Sequence, residues 1–134
     1  MKILRGTVLG GLTYFILGWL IYGIVLNAFM QNNFNQCAAR PEDAMIWWAM
    51  IVASLVLAHF LTLVLKWTNA KGILNGLKTG GLFGLLFGIS VDLSNYSMST
   101  TFNNLSAVLA DVFAWVIIQA LVGMVIVLTW GKAD

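Results

Sequence analysis

The sequence predicts an all-α integral membrane protein, a single domain over 1–134 with four transmembrane helices. Three observations predict it. The 134 residues are 60% hydrophobic and only 9% charged, against about 25% charged in an ordinary soluble domain. Four apolar runs, at about 6–29, 45–65, 73–92 and 106–130, each reach the roughly 20 residues that a helix needs to cross a bilayer. The third is Gly72 to Gly88, GILNGLKTGGLFGLLFG, with glycine at 72, 76, 80, 84 and 88. Steps of four lie along one slowly winding stripe of a helix. In water such a helix would be poor, since each Gly costs roughly 1 kcal/mol against Ala. In lipid the backbone must stay bonded to itself, and a bare stripe admits a neighbouring helix.

Charge sets the orientation. Lys2 and Arg5 precede span one, Lys66, Lys71 and Lys78 lie at the junction of spans two and three, and Lys132 follows span four. Arg40 is alone on the other side. The positive-inside rule then puts both termini and the middle loop of this multi-pass chain in the cytoplasm. A formal charge of +2 argues against nucleic acid as a partner. One cysteine, Cys37, and one histidine, His59, allow no intramolecular disulfide and no Cys/His metal cluster. No cofactor is expected.

Span one, GTVLGGLTYFILGWLIYGIVLNAFM, is longer than the roughly 7–15-residue apolar core of a signal peptide and ends on bulky residues, so it reads as a retained helix. Gly6, Gly10 and Gly18 give it a second small-residue surface. The pattern Gly6-x3-Gly10-Gly11-Leu12-x5-Gly18 recurs at an offset of 70 as Gly76-x3-Gly80-Gly81-Leu82-x5-Gly88. Two readings are open: a tandem duplication of helical hairpins, or two glycine-faced helices packed on each other. Both centre the packing on spans one and three. Trp19 and Tyr22, in GWLIYG, are candidates to wall a pocket. The loop that follows is polar, and Pro41, Glu42 and Asp43 suit the first turn of span two.

Span two carries Trp47 and Trp48 at one interface and Lys66 and Trp67 at the other. His59 lies between them, where an imidazole should face protein or a cavity. Asp92 ends the apolar run of span three, and Asp111 opens that of span four. With Glu42 and Asp43 they would form an acidic outer mouth that attracts cations. Gln119, Ser54, Thr13 and Tyr14 form a polar layer deeper in the membrane, suited to interhelical hydrogen bonds. Trp115 and Trp130 read as interface anchors.

GWLIYG and the joining segment VDLSNYSMSTTFNNLSAVLADVFAW resemble small four-span bacterial membrane proteins of unknown function. The resemblance covers most of the chain. It implies a four-helix inner-membrane architecture and carries no activity.

The pattern contains no nucleophile–base spacing, no HExxH and no GxSxG, so catalysis is not expected. Two functions remain. One is a non-enzymatic accessory, scaffolding or assembly subunit of a membrane complex. The other is an oligomeric transporter or a small-ligand or cation-binding protein that brings Asp92, Asp111, His59 and Gln119 to one cavity. The lipid bilayer is the certain partner; a homo-oligomer or a larger complex is the expected assembly.

Overall fold

A computed structural model of the chain describes residues 2–33, 45–99 and 101–130. Cys37, Arg40, Glu42 and Asp43 lie outside the described residues, as does Lys132. Helix α1 runs Lys2–Leu20, passes into a π-helical turn at Ile21–Val25, and is followed by the short α2 (Asn27–Asn33). Three long helices follow: α3 (Trp47–Trp67), α4 (Gly72–Met98) and α5 (Leu105–Trp130). Four segments, Ile3–Val25, α3, α4 and α5, are long and apolar enough to cross a membrane. The described residues include no strand.

The ends of the helices follow from local chemistry. Span one is not one uniform α-helix: Leu26 N–H donates to Ile21 O at 2.7 Å, a bond one residue wider than the α-helical one. Helix α3 closes with Asn69 in the left-handed region, φ 54°. There Asn69 N–H reaches Lys66 O at 3.1 Å and Ala70 N–H reaches Leu65 O at 3.0 Å, the paired bonds of a Schellman end. Gly72, φ +85°, then lets the chain turn sharply into α4. Asn104 Oδ1 caps α5 by accepting from Ala107 N–H at 2.9 Å. Its Nδ2 donates to Asn33 Oδ1 at 2.9 Å, tying α2 to the α4–α5 turn.

The helices form two antiparallel hairpins, α1 with α3 and α4 with α5, and α1 also lies along α5. Arg5 Nη1 donates to Thr129 O at 3.0 Å, meeting an orphan carbonyl at the negative end of α5. The start of α1, the end of α5 and the turn at 68–71 therefore share one end of the bundle. The expected pairing of spans one and three does not form. Span three instead gives its glycines to span four, and span one divides its own between spans two and four.

A Cβ built on Gly76 would lie 2.7 Å from Gly123 O, and one on Gly88 3.1 Å from Trp115 Cβ. One on Gly80 would run into Gln119 O, and one on Gly84 would lie 2.9 Å from Gln119 Cβ. These four positions are buried and face α5. Gly6 and Gly10 do the same for α1: their added Cβ atoms would lie 2.8 Å from Thr62 Cγ2 and 2.8 Å from Ile126 Cγ1. Gly18 and Gly72 are corrections to the predicted packing set, because nothing stands within 4 Å of either added Cβ. Gly72 serves the turn, and Gly18 faces open space.

The core collects Leu61 and Leu65 of α3 with Ile118, Val122, Ile126 and Trp130 of α5. Trp130 is 6% exposed, so it is a core residue, not an interface anchor. Trp48 and Trp67, each 72% exposed, remain free to anchor at interface depth.

Candidate functional site

Asp92 continues the glycine stripe, one step of four beyond Gly88. On α5 the facing stripe is Asp111, Trp115, Gln119 and Gly123, also in steps of four. Since the two helices run antiparallel and meet Gly88 to Trp115 and Gly84 to Gln119, the next pair along is Asp92 with Asp111. Their carboxyls stand within hydrogen-bonding reach of each other. Both are buried, at 3% and 8% exposed.

The third side of the site comes from α1. Tyr22 lies in the π-helical turn, and its hydroxyl donates to Asp111 Oδ1 at 2.6 Å. Tyr14, two turns earlier, has its ring centroid 6.4 Å from that of Trp115. Trp115 closes the floor against Gly88 and continues into Phe87, Phe83 and Phe60 at centroid spacings of 5.3, 5.7 and 5.3 Å.

A hydrogen bond between two carboxyls requires one of them to carry its proton. Asp92 Oδ2 has no hydrogen-bond partner. A carboxyl oxygen left bare inside a membrane bundle is costly, and one proton or one small cation between the two acids relieves it. Among the described residues no group of three or more His, Cys, Asp or Glu comes together, so a multidentate transition-metal site does not arise from them.

The structure brings together Asp92, Asp111 and Tyr22 of the predicted site residues and separates the others. Gln119 is fully buried on the same seam, eight residues or about 12 Å from Asp111. Neither its Oε1 nor its Nε2 has a partner. His59 does not join them. It is exposed, on the other hairpin, with Nδ1 2.9 Å from Thr7 Oγ1. Trp19 is 53% exposed, because the α1 face that meets α5 is the one carrying Tyr14 and Tyr22. Nor do Asp92 and Asp111 form an open mouth: they are enclosed between three helices. The polar layer is not a set of interhelical bonds either. Thr13 and Ser54 donate to Leu9 O and Met50 O one turn back in their own helices.

Tyr14 and Trp115 are the members that sequence reasoning assigned elsewhere. Their signal was spacing: Tyr14 and Tyr22 lie eight apart, Asp111 and Trp115 four apart, each pair on one helical face. Comparison with protein-family models, curated proteins and solved structures gives no match for this chain.

Proposed function

We propose that this chain is a non-enzymatic membrane protein that binds a proton or small monovalent cation between Asp92 and Asp111. The observation that carries the reading is the buried carboxyl pair, with one oxygen unpartnered, at the junction of α1, α4 and α5. Ionisable side chains inside a membrane bundle mark ion or proton sites by default. The described residues supply a site and no continuous polar path, because His59 and Gln119 stand apart from it. Binding, and conformational response to binding, is therefore the activity assigned to one chain; transport needs an oligomer. The six-to-one split of basic residues supports cytoplasmic termini in a bacterial inner membrane, with the carboxyl pair in the outer half.

Infrared difference spectroscopy on the reconstituted protein tests the site. A protonated-carboxyl C=O band, shifted in heavy water, is expected in the native chain and lost in Asp92→Asn. Sodium titrations monitored by Trp115 emission, with Trp115→Phe as control, separate a cation from a proton. If Asp92→Asn and Asp111→Asn both keep the band and the response, the site is not where ions bind.

A second reading, an accessory or assembly subunit, draws support from α1. It is the least buried of the four spans, and Leu4, Val8, Leu12 and Ile16 form an exposed apolar row in steps of four. Copurification of other chains from native membranes in mild detergent is its test; a solitary monomer counts against it.

A further inference from the structure

We infer that the groove between α3 and α4 is a binding site for an anionic phospholipid of the surrounding leaflet. The inference is independent of the carboxyl pair, which lies in the other half of the bundle. The groove exists because of where the glycines point. Helix α4 gives its bare face to α5, and α3 gives its small-residue face to α1. These two sequence neighbours are left touching chiefly through the rings of Phe60 and Phe83, 5.3 Å apart. Beside that contact lies an open cleft of about 350 Å³, within the roughly 300–1,000 Å³ of small-molecule sites.

The cleft is polar at one end and apolar along the rest. Lys78, Leu82 and Leu86 follow one another in steps of four on α4, so they form a single row about 12 Å long. Thr68 and Thr79 flank Lys78 at the polar end, and Phe83 lines the apolar part. Lys78 makes no ion pair or hydrogen bond within the described residues. Their only acidic side chains, Asp92 and Asp111, are spent on each other and on Tyr22. The Thr79 hydroxyl is also unengaged. Thr13, Thr62, Thr68 and Thr129 each donate to a carbonyl of the preceding turn, and Thr79 does not.

A cation inside an apolar span needs an anion or a route to the headgroup region. An ammonium and a free hydroxyl above an apolar furrow match a phosphate above an acyl chain. Basic clefts between membrane helices bind acidic headgroups by this chemistry. A zwitterionic lipid fits the furrow equally well and brings no net charge to Lys78, so the discrimination falls on the headgroup.

The test uses the full chain in nanodiscs of mixed phosphatidylcholine and phosphatidylglycerol, with retained lipid counted by native mass spectrometry. The native chain should retain the anionic lipid about fivefold over the zwitterionic one, the effect of one lysine at a headgroup. Lys78→Gln should bring the ratio to parity, while Lys78→Arg keeps it. Leu82→Trp should expel both lipids by filling the furrow. Lys71→Gln, on the exposed turn, should leave the ratio unchanged. Circular dichroism and a monodisperse elution profile establish that each variant folds. The proposal is overturned by a preference that survives Lys78→Gln, or by an equal loss in Lys71→Gln. Displacement of the lipid by excess inorganic phosphate, or a protein chain cross-linked in the cleft from native membranes, overturns it as well.

Discussion

Along α4 the glycines meet mainly the backbone of α5; along α1 they meet mainly side chains, those of α3 and of α5. Gly76 and Gly80 face the carbonyls of Gly123 and Gln119, while Gly6, Gly10 and Gly11 face Thr62, Ile126 and Leu55. The difference matters because a backbone cannot retreat without bending its helix, whereas an isoleucine or leucine can turn its end aside. In lipid no hydrophobic force drives helices together, so close packing is the main attraction available. The α4–α5 pair is therefore the rigid half of the molecule. It also carries both acids of the candidate site, and α1 brings Tyr22 to them from the more forgiving half.

The largest effect that separates the two hairpins is Gly80→Ala. Its Cβ runs into Gln119 O, so the helices must part. The loss should be about 3 kcal/mol, the upper range of overpacking. Reversible unfolding in mixed micelles checks it. Gly10→Ala on α1 meets the Ile126 side chain of α5 and the Ala58 methyl of α3 and should cost about 1 kcal/mol. Equal losses at the two sites would break the distinction between rigid and forgiving halves.

Tyr22→Phe tests the link between the halves and ranks next. It removes the 2.6 Å bond to Asp111 Oδ1 and leaves a buried carboxylate without that donor. Bonds to charged groups contribute roughly 1.5–3 kcal/mol, so a loss of about 2 kcal/mol is expected in the same assay. The infrared band assigned to Asp92 should shift in this variant and not disappear, because the carboxyl pair remains.

How much of this was legible beforehand depends on the kind of signal. The four spans were legible, because length and hydropathy are properties of each segment alone. So was the role of Gly76, Gly80, Gly84 and Gly88 as a contact face. Which helix they contact was not: a bare stripe fits any close neighbour, and the Gly6–Gly18 echo pointed to span one when α5 was the partner. The step of four that picked out the glycines continues to Asp92, and the matching step on α5 begins at Asp111. Those two series contain the site, but pairing them needs the register of the hairpin. The π-helical turn that places Tyr22 left no mark on hydropathy. Gly18 and Gly72 show the opposite limit: the same residue type serves packing at 76 and a turn at 72, and only φ and the neighbours tell them apart.

The smallest expected effect lies at the Thr7–His59 contact, the one side-chain hydrogen bond that crosses the α1–α3 seam among the described residues. The sequence places His59 inside an apolar span, where an imidazole should face protein or a cavity. Its partner Thr7 lies only five residues from Lys2, about 8 Å along α1, and His59 itself is exposed. An imidazole there can exchange Thr7 for water or a headgroup at little cost, unlike the enclosed Asp111. Thr7→Val should therefore change stability by no more than about 0.5 kcal/mol, the lower end for a replaceable hydrogen bond. Its effect on the carboxyl band of Asp92 should be nil. A loss as large as that of Tyr22→Phe, or a shifted carboxyl band, would mean that the two seams communicate and that the forgiving hairpin is part of the ion site.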